Sequence, residues 1–162
     1  MNKRVAGVFG AAVLVVAVFI AIVFYVQRGS HLVLQGQILK VRTAPADERS
    51  CIVVLDFRTT NPADFTYTVR SVAVVLEDAS GMRIDGATIA EVDAQRLFES
   101  LPLLGQKYNK SLIVRDELPA HASRDYMIAA RFEVPESQVD KRKQFIIQVT
   151  ENSSIMSEIR EK

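Results

Sequence analysis

The sequence has one cysteine and two histidines in 162 residues. A lone cysteine excludes an intramolecular disulfide, so a domain on the oxidising side of a membrane must be held together by its core alone. Cys51 sits in Ser50-Cys51-Ile52-Val53-Val54-Leu55, where strand alternation puts it with Val53, Leu55 and Phe57 on an inward face as an inert thiol. Neither His31 nor His121 has a second His, a Cys or a carboxylate at ligand spacing, and the chain has no G-x-S-x-G, P-loop or dinucleotide fingerprint. These gaps leave no catalytic, cofactor-binding or metal-binding residue to assign. No enzymatic activity and no cofactor are expected.

An excess of one charge sign is also missing. Twenty basic residues face nineteen acidic ones. Lys3, Arg4 and Arg28 flank the first apolar run, which leaves 17 basic against 19 acidic residues over 29–162. Nucleic-acid binding needs clustered positive charge, so that class is excluded. The mixed-sign stretches Glu48-Arg49 and Arg115-Asp116-Glu117 read as solvated loops rather than a general acid and base. Lys141-Arg142-Lys143 reads as a solvated turn with a weaker claim on anionic lipid or a partner.

What is present in quantity is one hydrophobic run. Val5 to Val26 holds 22 residues with no charge, 20 of them hydrophobic, with Gly7 and Gly10 the exceptions. As a helix rising about 1.5 Å per residue it spans roughly 33 Å, against a hydrocarbon core of about 30 Å. It is too long for the apolar part of a secretory signal, and Phe24-Tyr25-Val26-Gln27-Arg28 has no small-x-small cleavage site. It reads as an uncleaved single-pass anchor. Lys3 and Arg4 put residues 1–4 in the cytoplasm and the folded part outside, in the periplasm or extracellular space. Tyr25 and Arg28 suit the interface. No acidic residue interrupts the run, so no ion relay is expected within it. Ala6, Gly10, Ala17 and Ala21 have small-xxx-small spacing, as a run this rich in alanine does by chance.

After a juxtamembrane linker at 27–31, the periodicity becomes two. Strands are expected at 32–42 with a possible bend at Gly36, at 51–59 ending in Asn61-Pro62, and at 65–77 with a phase shift at Arg70-Ser71 that signals a bulge. Further strands are expected at 82–89, 111–115, 126–132 and 145–149. Residues 43–48 read as a loop, Glu91 to Ser100 as the one short helix, 136–143 as polar with at most one helical turn, and 151–162 as a frayed or loosely helical polar tail. About seven short strands without a βαβ rhythm predict an all-β, antiparallel sandwich over 32–150.

The stretch Ile52 to Pro62, an apolar strand closing on Asn61-Pro62, followed by Phe65, Tyr67, Val69, Val72, Val74 and Leu76, resembles the opening of the LEA14-like / WHy (water stress and hypersensitive response) domain family. Leu118-Pro119-Ala120 and Ser123 before the Tyr126 strand are similar to that family's later loop and strand. The segment from Glu91 to Asn109 departs from its simplest pattern. The resemblance implies an immunoglobulin- or fibronectin-III-like β-sandwich without enzymatic activity, acting by binding or stress protection. The haem chaperone of cytochrome c maturation has a similar anchor-plus-barrel layout, but its His is followed by Tyr four residues later, whereas His121 and Tyr126 are five apart.

The expected protein is thus a membrane-anchored, non-catalytic β-sandwich, in contact with the bilayer through residues 5–26 and open to a protein partner in the envelope. Two alternatives remain: a bitopic subunit of an envelope assembly or secretion complex, and a carrier of haem, lipid or another small ligand in a cavity between the sheets.

Overall fold

The computed structural model describes residues 13–23, 33–152 and 154–161. The chain divides into two compact units, Met1–Leu32 and Val33–Lys162. In the first, residues 13–23 are helical (α1) and every one of them is exposed. The rest of the expected span at 5–12 and 24–26, the N-terminal 1–4 and the linker at 27–31 lie outside the described residues. Among the described residues no helix is long and apolar enough to cross a membrane.

The second unit is all-β. Its strands are β1 (Gln35–Asp47), β2 (Ser50–Thr60), β3 (Tyr67–Glu77), β4 (Arg83–Ile89), β5 (Glu117–Leu118), β6 (Ser123–Phe132), β7 (Gln144–Glu151) and β8 (Met156–Arg160). Two helices, α2 (Glu91–Ser100) and α3 (Glu136–Asp140), and a 3-10 turn at Pro102–Leu104 complete it. All strand ladders are antiparallel, in the order β1-β2-β6-β4-β3-β7-β8, with β5 beside β3.

The fold turns on β4. Arg83–Gly86 pair with Glu77–Val74 of β3, and Ala87–Ile89 pair with Arg131–Ala129 of β6. One strand therefore serves both halves of the sheet and changes partner at Gly86. A Cβ there would lie 2.6 Å from the Phe132 ring, so the missing side chain is what lets the ring pack against the corner. Phe132 in turn meets Phe145 of β7, with ring centroids 5.8 Å apart, which joins the two halves through the core.

At the other side the sheet curls until its edge strands meet. Leu34 N–H donates to Ser157 Oγ at 2.8 Å, and a Cβ on Gly36 would stand 2.8 Å from Ile159 Cδ1 and 2.6 Å from the Arg58 carbonyl. Gly36 of β1 is paired with Thr59 of β2 and makes room for β8. β2 is consequently buried on both faces: Cys51, Val53, Leu55 and Phe57 turn to one side, and Ile52 and Val54 pack with Ala94, Leu104, Met127 and Ala129 on the other. α2 supplies that second layer through Ala94, Leu97 and Phe98.

The expected bulge at Arg70 is present, as a register shift between Val69 and Ser71. Several expectations are corrected. The described residues form seven strands on one curled sheet path, with the two-residue β5 beside β3 off that path. β1 continues through 43–47, because an edge strand tolerates Pro45, which lacks the N–H a central strand needs. Residues 111–115 form no strand: Ser111 makes a single bridge to Met127, and a turn follows in which Asp116 N–H donates to the Ile113 carbonyl. The 151–162 tail is β8. Its polar composition hid an alternation in which Ser157 and Ile159 point inward while Met156, Glu158 and Arg160 do not. Arg142 fastens its end, gripping Glu161 with Nη2 to Oε1 at 2.6 Å and Nε to Oε2 at 2.9 Å, and lying 4.7 Å above the Phe145 ring.

If Gly86 is the corner, Gly86→Ala forces either Phe132 or β4 to move. It should cost about 1–3 kcal/mol in a denaturant titration. Unchanged stability would mean that β4 does not turn there.

Candidate functional site

The residues considered from sequence do not converge. His31 lies outside the described residues. His121 sits on an exposed loop in the left-handed region (φ 56°) with Nε2 2.9 Å from Asp64 Oδ1. Tyr126 is fully buried, with the Lys110 ammonium 5.1 Å above its ring, so it is not available beside His121 for a shared ligand. Cys51 is inward as expected: burial, aided by the Glu136 and Asp140 charges, pushes its thiol up to about 11. Lys141-Arg142-Lys143 is a turn with Lys141 and Lys143 exposed, in which Arg142 holds Glu161 and Lys143 lies 2.6 Å from Glu77 Oε1. Among the described residues no group of three or more His, Cys, Asp or Glu is placed to hold a metal ion.

The structure instead brings together two features. The first is a buried ion pair. Arg42 of β1 and Asp56 of β2 sit diagonally in the ladder, since Lys40 is the residue opposite Asp56. Arg42 Nη2 reaches Asp56 Oδ2 at 2.7 Å, with both side chains only 7% exposed. Arg42 Nη1 donates to the carbonyls of Leu104 and Gln106, each at 2.7 Å, and Asn109 Nδ2 donates to Asp56 Oδ1 at 3.1 Å. The guanidinium carbon lies 5.0 Å from the Phe98 ring centre and 5.7 Å from that of Tyr108. The pair is thus a clamp that fixes the 101–109 segment to the sheet.

Glu91 ties down the end of that segment. It pairs with Lys107 and accepts the Ser111 N–H at 2.9 Å on Oε2. Burial raises its carboxyl pKa, but Lys107 and Ser111 more than offset this and hold it below the usual value.

The second feature is a groove. Where β4 leaves β3 the two strands separate, and residues 110–118 cross between β6 and β3 in the opposite sense. Leu112 N–H donates to the Met127 carbonyl at 3.0 Å, and Arg115 N–H to the Val69 carbonyl at 2.8 Å. Arg115 takes a positive φ of 72° to make this crossing. Beside it opens a cavity of about 350 Å³ whose wall is mainly aliphatic: Val72, Ile89, Leu112, Ile113, Val114 and Ile128. Ile113 and Val114 are about half exposed. The groove can take an apolar group, and its wall offers no nucleophile–base pair for chemistry on it.

Asp56, near the far end of the apolar run that forms β2, is buried. A signal was available: a carboxylate within the run Cys51 to Phe57 needs a buried partner, and only a register two residues off from Lys40 supplies Arg42. The groove had no sequence signal, because it is built by the crossing of two distant segments.

No family model matches this chain and no curated protein matches it. Among solved structures, a Bordetella pertussis protein assigned as ApaA is 13% identical, covering 80% of this chain and 88% of its own, at a TM-score of 0.36. A structural-genomics target is 11% identical, covering 81% and 80%, at a TM-score of 0.32. Likenesses this distant carry no argument about what the chain does.

Removing one member of the ion pair leaves the other charged and buried. Asp56→Ala or Arg42→Ala alone should cost about 3–5 kcal/mol, while Arg42→Met with Asp56→Leu should recover most of the loss in a double-mutant cycle. A double variant that costs as much as the two single variants added together would mean the pair does not act as a unit. Independently, a thiol reagent at about pH 8 should leave Cys51 untouched in the folded chain and modify it on unfolding, because thiolate is the reactive form. Fast modification without denaturant would contradict its burial.

Proposed function

We propose that this chain is a single-pass membrane protein that displays a non-catalytic β-domain outside the cytoplasmic membrane and acts by binding. One observation carries the reading. The uncharged run Val5 to Val26 includes an apolar helix, 13–23, on which every side chain is exposed, among them Leu14, Val15 and Phe19 at 65%, 66% and 66%. In water such a helix is costly, whereas a hydrocarbon layer satisfies it. Lys3 and Arg4 support an N-terminus in the cytoplasm. The finer assignment of the domain, an immunoglobulin- or fibronectin-III-like sandwich of the LEA14-like / WHy kind, rests on the Ile52 to Pro62 pattern. Asn61 gives that pattern a physical role: its Nδ2 donates to the carbonyls of Phe65, Leu118 and Pro119 at 2.8, 3.0 and 3.1 Å.

A second reading, a carrier of a small apolar ligand, is favoured by the aliphatic groove, whose volume is at the low end for ligand sites. Its location differs from the cavity between sheets that the sequence suggested.

The full chain should stay with membranes through an alkaline carbonate wash, and its C-terminus should be digested by protease added from the non-cytoplasmic side. Deleting residues 1–28 should yield a soluble, folded monomer. Release by carbonate, or a C-terminus protected until the membrane is broken, would overturn the anchor or its orientation.

A further inference from the structure

We propose that the groove beside the 110–118 crossing binds a small uncharged molecule with an aliphatic body and one neutral carbonyl, an ester or an amide, whose oxygen accepts a hydrogen bond from Ser111. This deepens the reading of the groove as a ligand site and rests on it. The opening follows from strand pairing. Val72 of β3 is paired with Val149 of β7, and Thr88 of β4 with Ala130 of β6. The β3–β4 ladder stops at Val74 and Gly86, so Val72 and Thr88 both line the groove and neither pairs with the other. The open ladder leaves a space of about 350 Å³ that no side chain fills, which lies within the range of small-molecule sites.

A gap in a sheet does not by itself name a ligand. The second observation is Ser111, which lines the same groove. It is 5% exposed, and its Oγ has no hydrogen-bond partner among the described residues. The neighbouring carboxylate is already spent: Glu91 accepts the Ser111 N–H on Oε2 at 2.9 Å and holds Lys107 with Oε1. A buried hydroxyl left without a partner is costly, and a carbonyl oxygen entering the groove relieves that cost.

The wall selects the rest of the molecule. Leu112 and Ile128 are buried in it, and Ile113 and Val114 stand half exposed at its mouth. Such side chains offer close contact to methylene groups, and no aromatic ring lines the groove to stack on a flat one. No charged side chain lines it either. Lys110, next to Ser111 in sequence, holds Asp116 at 3.0 Å, and Lys107 holds Glu91. A carboxylate head would therefore enter without a counter-ion, and an ammonium head would find Glu91 taken. A neutral carbonyl meets the unpartnered donor and brings no charge to desolvate.

The test is methyl NMR of the full chain in lipid nanodiscs, titrated with octanamide. Signals of Leu112, Ile113 and Ile128 should shift to saturation, while those of Ile52, under α2, and Ile159, beside Gly36, stay in place. Ser111→Ala removes an oxygen that bonds to nothing in the chain, so the fold is kept, and it should weaken octanamide binding about three- to tenfold. Partition into the lipid is the same for both proteins and cancels in that ratio. Octanoate enters lipid less readily, yet it should need about tenfold more ligand or higher to move the same signals. If octanamide shifts none of the groove methyls, the groove is not a ligand site and the inference falls with that reading. If it shifts them but Ser111→Ala binds equally well, or octanoate binds as tightly, the ligand reading of the groove stands and the inference alone is wrong.

Discussion

The change of partner by β4 at Gly86 is the constraint on which the rest of the domain depends. β3 and β6 lie on either side of it, and each is hydrogen-bonded to only half of β4. Phe132 fills the space that Gly86 vacates and carries the contact onward to Phe145. Without that corner, β4 would continue along β3 and leave the two halves joined only where β1 meets β8 and through the 110–118 crossing. The cost of the crossing is a gap between β3 and β4, spanned by residues 110–118 in a strained turn at Arg115. The groove is a direct consequence of the same geometry.

Buried charge follows a consistent rule in this molecule. Arg42 with Asp56, Glu77 with Lys143 and Gln144, and Arg142 with Glu161 each join segments distant in sequence through two or more hydrogen bonds. Glu77 and Glu161 are held below the usual carboxylate range, the first mainly by Lys143 and Gln144, the second by Arg142 acting against burial. Their contribution to stability is present above the unfolded-state pKa of these groups and is lost as pH falls through the lower, folded values. These groups hold segments in place.

Strand positions were legible wherever alternation was strong. β2, β3, β6 and β7 follow from residues such as Val53, Val74, Ile128 and Ile147, and α2 from its spacing and the stop at Pro102. β8 was not, because Met156-Ser157-Glu158-Ile159-Arg160 carries only two apolar side chains and its inward Ser157 is polar. The end of β1 was hidden by Pro45, which an edge position accommodates. The Arg42–Asp56 clamp was half visible, as a carboxylate inside an apolar strand. The groove arises only from long-range pairing, which no local pattern encodes.

That pairing decides where the two halves of the sheet join and where the groove opens. The most direct test is solution NMR of the full chain in a membrane mimetic, reading interstrand proton contacts along β4. The account predicts contacts from Ile84 and Gly86 to Leu76 and Val74 of β3, and from Thr88 to Ala130 of β6, with none continuing from Thr88 to Val72. Contacts running the full length of β4 along β3 alone would contradict it.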